Sequence, residues 1–250
     1  MNILVTRPDS NGKDLVKKIF SLGKFAHHMP LIYFSSGKNL PLIKTQLHSL
    51  SKGDFLIIVS QHAAQFAHYQ LLKMKSYWPN TIRYYSIGLK TSLIMHQLSG
   101  ILSKYPYNEE NSENLLQIPE LISEVYGHQV LILKGNNGRN LLKKTLQKRG
   151  ASVLCCECYI RKPFQYNGIE QYHKMIQLNI NIIIITSETI LKQLYYLIPQ
   201  YYRVNWLIKC QLIVISVRLA NIAKRFGWTK VLITKSANNN SILSTLITHT

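Results

Sequence analysis

The sequence predicts an α/β protein made of two similar parallel-sheet units, and two observations lead to this fold class. Residues 3–23 align with residues 130–150 without a gap, at a shift of 127 positions (residue 3 onto residue 130). Short runs rich in Val, Ile and Leu alternate with amphipathic stretches of about a dozen residues, which is the pattern of βαβ units. Because a duplicated unit forms two similar lobes, we expect the binding site in the cleft between them.

The predicted elements follow one another in a regular order. The first copy is predicted as strand 3–6, helix 11–22, strand 28–34, helix 40–50, strand 55–60, helix 63–74, strand 84–87, helix 91–98, strand 101–105 and helix 112–125. Gly23 and Gly150 close the first helix of each copy, where a helix end favours a left-handed residue. The second copy repeats this order from strand 129–134 to a last helix near 241–247. Its run 182–185 has no polar alternation, which predicts a sheet covered on both faces.

Length and composition limit the class of protein. The chain has 250 residues, 46% of them apolar, which suits two domains with substantial cores. No apolar run approaches the ~20 residues of a membrane span, and no charged segment followed by an apolar one opens the chain, so we expect no signal peptide. We therefore expect a cytoplasmic protein with no membrane partner. The sequence shows no sign of an oligomer, and we expect a monomer.

The four cysteines, Cys155, Cys156, Cys158 and Cys210, do not indicate a disulfide framework in a chain of this length. Zinc sites usually combine two separate Cys-x-x-Cys pairs, and here the second pair is missing. The Cys-Cys-x-Cys cluster lies in an apolar alternation typical of a strand. We interpret these cysteines as buried structural thiols and predict no metal.

The net charge is strongly positive, since 30 Lys and Arg stand against 11 Asp and Glu, giving +19. This balance favours acidic partners such as nucleic acid, an anionic surface or a polyanionic small molecule. The cations are scattered, however, and a general bias toward Ile, Lys, Asn and Tyr explains most of the total charge. A local basic pocket fits both observations. Because Asp and Glu are scarce, we expect a neutral and basic site rather than a carboxylate pair.

Polar and basic residues follow several predicted strands. In parallel sheets ligands bind outside the carboxyl ends of the strands, where free N–H groups at helix N-termini attract anions. A single Ser or Thr at such a point is more often only a helix N-cap, but the cations at the same edge favour a binding site. The residues predicted for it are Arg7, Ser60, Gln61, His62, Gly88, Thr91, Lys134, Gly135, Arg139, Thr186, Ser187, Ser216 and Arg218.

Common cofactor and nucleophile motifs are missing from the sequence. The segment from Gly135 to Gly138 fails the G-x-G-x-x-G spacing of a dinucleotide site, and no Gly-Lys-Ser/Thr of a P-loop follows it. There is no G-x-S-x-G nucleophile elbow. His27, His28 and His62 have no partners at the spacing of a metal site or a catalytic triad. We predict no cofactor, and an enzyme of this sequence would act through shape and electrostatics.

An ordered set of segments resembles the uroporphyrinogen-III synthase family. The segments are ILVTRP (3–8), PLI (30–32), IVSQHA (58–63), IG (87–88), SENLL (112–116), LILKGNNGR (131–139), RGASV (149–153), ECYIR (157–161), TSE (186–188) and VIS-x-R-x-A (214–220). The match is collinear over essentially the whole chain. Its specificity lies in the order of the segments rather than in any single motif.

The resemblance implies an enzyme activity. Members of this family cyclise hydroxymethylbilane, a linear tetrapyrrole with eight carboxylates, to uroporphyrinogen III with loss of water and inversion of ring D, and they use no cofactor. The hydroxymethyl group loses its hydroxyl to give an azafulvene, and ring D attacks through its substituted carbon to form a spiro intermediate. This intermediate fragments and recloses with ring D reversed. The implied partner is therefore this small molecule and not a nucleic acid.

The resemblance also implies roles for residues. The important tyrosine of the family falls on Tyr159, which we expect to be a hydrogen-bond donor or general acid assisting hydroxyl departure; from the residues alone it would be a packed aromatic. Some relatives carry a Thr pair where this chain has Arg218-Leu219, so that role is not carried over, and Arg218 is a candidate to bind a carboxylate instead. The hydroxyl-bearing strand ends of the family fall on Ser60, Thr91 and Ser187. Ser112, which opens the matching segment SENLL, is also predicted to bind substrate.

The resemblance implies a division of the chain that the repeat alone does not predict. The family fold has two flavodoxin-like or Rossmann-like parallel-sheet domains joined by a two-stranded β hinge. Residues 1–34 with 164–250 would form one composite domain, and residues 35–163 the other. Strands 31–35 and 159–163 would cross between the domains and pair as the hinge.

Two alternatives stay open at this stage. The charge of +19 and the abundant Tyr also fit a two-lobed basic protein that binds anions or nucleic acid without catalysis. The other alternative is a tetrapyrrole-binding regulatory descendant that keeps the fold and has lost turnover.

Overall fold

The computed structural model describes residues 1–136, 138 and 140–248, without the side chains of Asp9 and Ser10. The chain forms two compact units. The first unit consists of Met1–Tyr33 with Lys162–Thr250, and the second unit consists of Phe34–Arg161. No helix in the described ranges is long and apolar enough to cross a membrane.

The described residues form ten strands and twelve α-helices. The strands are β1 (Asn2–Val5), β2 (Phe25–His28), β3 (Ile32–Ser36), β4 (Phe55–Ile58), β5 (Arg83–Ser86), β6 (Gln129–Gly135), β7 (Ser152–Pro163), β8 (Ile182–Ile185), β9 (Gln211–Val214) and β10 (Val231–Ile233). The helices are α1 (Asp9–Ser21), α2 (Ile43–His48), α3 (Gln61–Lys73), α4 (Leu89–Ser99), α5 (Ser112–Leu115), α6 (Pro119–Ser123), α7 (Leu141–Lys148), α8 (Gly168–Gln177), α9 (Glu188–Leu197), α10 (Gln200–Asn205), α11 (Val217–Arg225) and α12 (Asn239–Thr248).

Each unit is built on a five-stranded sheet. The first sheet has the order β10-β9-β8-β1-β2, and all its neighbouring strands are parallel. The second has the order β3-β7-β6-β4-β5, with parallel pairs from β7 to β5. In each sheet the chain adds one strand to one side and then continues on the other side, as in doubly wound flavodoxin-like sheets. The predicted fold class of two parallel-sheet α/β units is confirmed.

Both sheets are covered on both faces, because alternate residues of each strand enter different apolar clusters. In the first sheet Leu4 and Ile183 belong to one cluster, and Ile3 and Ile184 belong to another. The second sheet is divided in the same way. All four residues of β8 are buried, as their unbroken apolar run predicts. The carboxyl ends of the strands are therefore the natural place for a ligand in each unit.

Three predicted elements were wrong in detail, and proline explains each difference. In place of the one strand predicted over 28–34 there are two, β2 ending at residue 28 and β3 beginning at residue 32, because Pro30 between them has no N–H to donate. The helix predicted over 112–125 is divided into α5 and α6, and Pro119 opens the second. The strand predicted over 101–105 is reduced to one bridge of Lys104 with Tyr85, since Pro106 cannot extend the ladder.

The edge strand β3 runs antiparallel to β7. The N–H of Gly37 donates to the carbonyl of Cys158 at 3.0 Å, and the N–H of Phe164 donates to the carbonyl of Leu31 at 2.9 Å. Partners that rise along one strand and fall along the other define an antiparallel pair. Gly37 is required at this edge because a Cβ there would lie 2.0 Å from the carbonyl oxygen of Glu157.

Candidate functional site

The candidate site lies in the second unit, where the strand order of its sheet reverses. Strands β4 and β6 are neighbours, but the chain leaves them in opposite directions, toward β5 and toward β7. Such a switch point opens a crevice at the carboxyl ends of the strands. A cavity of about 200 Å³ occupies this crevice. The predicted site residues that line it are Ser60, Ser112, Lys134, Gly135 and Tyr159.

Tyr159 and Ser60 form a hydrogen-bonded pair in the wall of this cavity. Ser60 Oγ donates to the phenol oxygen of Tyr159 at 3.2 Å and accepts from the N–H of Ala63 at 3.1 Å. The second bond is the N-cap of α3, so the start of the helix fixes the serine hydroxyl. Because the phenol oxygen of Tyr159 is the acceptor, its own hydrogen stays available to a group in the cavity.

Gly135 makes room for the ring of Tyr159. The pairing of β6 with β7 shifts register between Lys134 and Gly135, which brings Gly135 opposite Tyr159. Bulges of this kind re-aim side chains near functional sites. A Cβ at Gly135 would lie 2.5 Å from Tyr159 Cζ and 2.9 Å from its oxygen, well inside van der Waals contact. The glycine therefore sets the position of the phenol.

Three aromatic rings of the second unit pack around Tyr159, which is 3% exposed. Their centroids lie 5.5 Å (Phe34), 5.6 Å (His62) and 6.0 Å (Phe66) from that of Tyr159. His62 also stacks on Phe34 at 3.9 Å. The structure thus places His62 in the packing around the tyrosine and not on the cavity surface.

Three cations line the cavity, and only the first of them is among the predicted site residues. They are Lys134 at the end of β6, Lys143 in α7 and Arg161 in β7. The described lining residues include no Asp or Glu, and no described acid makes an ion pair with any of the three. The cavity therefore combines neutral hydrogen-bonding groups with positive charge and suits an anionic ligand.

The two missed cations have different sequence signals. Arg161 follows Tyr159 by two positions on a strand, and strand alternation places such residues on one face. Lys143 lies in the first turn of the helix after β6, a position that only the fold brings to the cavity. Asn140, just before this helix, also lines the cavity. A search along the alternation of β7 would have found Arg161.

The thiol of Cys155 lies in the same cavity wall. Burial raises the pKa of Cys155, while the positive charges of Lys134 and Lys143 act in the opposite direction. Both ammonium groups therefore act on the same part of the cavity. All four cysteines are free, and the described residues contain no cluster of three or more His, Cys, Asp or Glu placed to hold a metal ion.

The other predicted residues of the second unit lie outside the cavity lining. Gln61 opens α3, and Thr91 is buried in α4. Gly88 is the N-cap residue of α4, where the N–H of Leu89 donates to the carboxylate of Glu110 at 3.2 Å. An internal acid therefore occupies the anion site predicted at this helix start. Arg139 lies outside the described residues.

The first unit places hydroxyl groups at the carboxyl ends of its strands. Thr186 follows β8, and Ser187 and Ser216 are the N-caps of α9 and α11. Ser187 accepts from the N–H of Ile190, and Ser216 accepts from the N–H of Leu219, both at 3.3 Å. Both serines therefore act as ordinary helix N-caps.

The two predicted arginines of the first unit already have partners. Arg7 donates to the carbonyl of Ala237 at 2.8 Å and to Asn239 Oδ1 at 2.6 Å, and burial lowers its pKa. Arg218 pairs with Glu188 at 2.6 Å. Arg7 therefore ties the end of β1 to the start of α12, and Arg218 faces an acid of its own unit.

Comparisons with known proteins give one consistent result. A family model described as uroporphyrinogen-III synthase HemD matches residues 13–244. The chain is 43% identical to the uroporphyrinogen-III synthase of Escherichia coli (strain K12) and 42% identical to that of Salmonella typhimurium (strain LT2). Each match extends over 246 residues, which is 98% of this chain and 100% of the relative.

Solved structures share the fold at much lower sequence identity. A mutant uroporphyrinogen III synthase from the extremely thermophilic bacterium Thermus thermophilus matches with a TM-score of 0.63 and 11% identity, covering 99% of each chain. The uroporphyrinogen-III synthetase of Helicobacter pylori 26695 matches with a TM-score of 0.61 and 15% identity, covering 100% of this chain and 99% of the other. These likenesses support the fold alone.

Proposed function

Since the chain belongs to the uroporphyrinogen-III synthase family, we propose that the cavity at the β4–β6 switch point is where it cyclises hydroxymethylbilane to uroporphyrinogen III. The observation that supports this location is the hydrogen-bonded pair of the buried Tyr159 and the half-buried Ser60 at the wall of a basic cavity. The comparisons give no support to the alternative of a basic nucleic-acid-binding protein.

In this proposal Tyr159 is the proton donor for the first step. The C–O bond of the hydroxymethyl group breaks, the phenol hydrogen goes to the departing oxygen, and water leaves. The remaining carbon and its pyrrole ring keep the N–H proton and form a cationic azafulvenium, the protonated form of the azafulvene, which ring D then attacks. Ser60 acts as a positioning residue, since its hydroxyl donates to the phenol oxygen and stabilises the negative charge that grows there as the proton is given up.

The size of the cavity limits what enters it. A volume of about 200 Å³ is smaller than the roughly 300–1,000 Å³ of sites that enclose drug-sized ligands. It suits one pyrrole ring with its substituents rather than a whole linear tetrapyrrole. The ring that needs a proton donor is the one that carries the hydroxymethyl group, and we place that ring beside Tyr159.

The rest of the substrate requires further binding groups. We include Gln61, Gly88 and Thr91 of the second unit, and Thr186, Ser187, Ser216, Arg7 and Arg218 of the first, as candidates of lower rank because caps or internal partners already engage several of them. Arg139, which lies outside the described residues, stays a candidate on the resemblance alone. A composite pair of domains with β3 and β7 as a hinge, a monomeric state and a cytoplasmic location complete the proposal.

The decisive assay supplies freshly made hydroxymethylbilane and separates the oxidised products. Without an enzyme the bilane closes to the symmetric type I isomer, so the folded protein should yield the type III isomer. Recovery of the type I isomer alone would reject the proposal, and binding of product without turnover would identify a regulatory descendant. Binding to duplex or single-stranded nucleic acid that survives physiological salt would instead favour the nucleic-acid alternative.

A further inference from the structure

The cavity in which we place the reaction contains more cationic side chains than the sequence predicted for it. Lys134 was expected at the end of β6, but Lys143 and Arg161 also line the cavity. Both residues are exposed at the rim of the cavity, and no described acid forms an ion pair with either of them. Cations that have no acidic partner within the protein and surround a small cavity are suited to carboxylates that arrive with a ligand.

The proposed proton donor and the two added cations lie at different depths in the cavity. Tyr159 is almost fully buried at the wall, whereas Lys143 and Arg161 are exposed. Arg161 lies on the same strand face as Tyr159, two residues further along β7, and its guanidinium lies 6.0 Å from the ring of Phe34. Lys143 comes from a different element, α7. A ring whose reacting substituent points to Tyr159 would therefore present its side chains to both cations.

Substrate chemistry determines which ring this is. A linear tetrapyrrole with eight carboxylates carries two on each of its four rings. The cavity has room for one ring, and only the ring with the hydroxymethyl group has a hydroxyl that must leave with a proton. The two carboxylates of that same ring then need partners at the rim, where two exposed cations are available.

We propose that Lys143 and Arg161 bind the two carboxylates of the hydroxymethyl-bearing ring and so determine which end of the substrate enters the cavity. This inference rests on the proposed function, because it assumes that the bilane reacts at Tyr159. It extends that function by assigning two carboxylate partners that were not among the predicted site residues. The effect of both residues should fall on substrate binding more than on the chemical step.

The chain offers a neighbouring control for each cation. Lys144 follows Lys143 in α7, and Lys162 follows Arg161 in β7; all four side chains belong to exposed residues, and the two controls do not line the cavity. Lys143→Ala and Arg161→Ala should each raise KM by about fivefold or more, as expected for the loss of a charge-assisted contact. Their kcat values should change much less, and Lys144→Ala and Lys162→Ala should stay close to wild type.

A second experiment tests which ring of the substrate contacts the two cations. A bilane whose hydroxymethyl-bearing ring carries two methyl esters should bind wild-type protein weakly, and Lys143→Ala or Arg161→Ala should weaken it no further. A bilane esterified on an internal ring should keep the full response to both substitutions. Such non-additivity is the signature of two groups in contact. Equal responses with the two esterified bilanes would overturn the assignment to this ring.

The outcomes separate this inference from the function on which it rests. If wild-type protein makes the type III isomer while Lys143→Ala and Arg161→Ala behave like the lysine controls, the function holds and the inference is wrong. If wild-type protein makes only the type I isomer, both are wrong. Circular dichroism of each variant shows whether it is folded. Because all four positions are exposed, we expect all four variants to fold, and a change in KM would then report on binding.

Discussion

Ser60 donates its hydroxyl hydrogen to the phenol oxygen of Tyr159 over 3.2 Å, and this bond connects the start of helix α3 with strand β7. The same serine oxygen accepts the N–H of Ala63 as the N-cap. A residue that would be only a cap in most proteins therefore also orients the buried phenol in the cavity wall beside it. The geometry leaves the phenol hydrogen of Tyr159 available to a ligand.

Replacing Tyr159 by Phe tests the proposed proton donor. The variant keeps the ring and its packing, so its thermal stability should stay close to wild type. Its kcat should fall by about 10²-fold, the lower range for a lost general acid, with little change in KM. Tyr84→Phe is the matched control, because Tyr84 is also a buried tyrosine of the second unit and its hydroxyl donates to Pro79 outside the cavity. Equal kinetics in the two variants would remove Tyr159 from the mechanism.

Replacing Ser60 by Ala should affect both stability and rate. The lost N-cap of α3 should lower the free energy of unfolding by about 1 kcal/mol. The kcat should fall less than in Tyr159→Phe, because the phenol remains and only its hydrogen bond from Ser60 is lost. In the double variant kcat should fall no further than in Tyr159→Phe alone, since the two side chains act as one unit. Full additivity measured in this double-mutant cycle would contradict the relationship.

Replacing Gly135 by Ala tests the space reserved for the tyrosine ring. The new methyl would lie 2.5 Å from Tyr159 Cζ, so the ring must move away from its present position. We expect a loss of kcat approaching that of Tyr159→Phe. Gly138→Ala is the control, since a Cβ there lies 3.8 Å from its nearest neighbour, in ordinary contact. A fully active Gly135→Ala variant would show that the exact position of the ring is unimportant.

The sequence predicts the regular part of the fold well, because the pattern that makes a buried parallel strand is local. The four isoleucines of β8 and the repeated glycine after the first helix of each copy are enough to place strands and helix ends. The divided elements were harder to predict, since they depend on single prolines such as Pro30 and Pro119 within otherwise continuous patterns. The strand order, which creates the switch point, is a long-range property that periodicity does not contain.

The candidate site shows the same division between local and long-range information. Ser60 and Lys134 lie at the ends of apolar runs, so the residues at each strand terminus are enough to find them. Lys143 could not be found in this way, because its position depends on how α7 packs beside β6. Gly88 shows the opposite case: its position at a helix start is correct, but the carboxylate of Glu110 from a distant loop already occupies the site. Partners brought in by tertiary structure decide which strand-end groups are open to a ligand.

Replacing Glu110 by Gln tests whether Gly88 belongs to the binding site. The carboxylate of Glu110 accepts from the N–H of Leu89 at the start of α4, so a substrate carboxylate must displace it. Loss of the negative charge should lower KM by about two- to fivefold and lower the free energy of unfolding by about 0.3–1 kcal/mol, the range for a charge at a helix end. Glu109→Gln is the control for charge alone. A KM that rises or stays constant would leave Glu110 as a simple cap and exclude Gly88 from the site.

Replacing Glu188 by Gln tests a pH-dependent contribution to the stability of the first unit. A hydrogen bond from Lys192, and to a smaller extent one from Arg218, lowers the pKa of Glu188 in the folded protein. In the unfolded chain this pKa should have the ordinary value of about 4.3. A folded-state pKa below the unfolded value stabilises the protein above that unfolded value, and this stabilisation is lost as the pH falls through the folded-state pKa. The difference in thermal stability between wild type and Glu188→Gln should therefore be constant near neutral pH and shrink below about pH 4.3. Because the carboxylate is exposed, 1 M salt should also reduce the difference at neutral pH, and a difference that grew toward acid pH would contradict the lowered pKa.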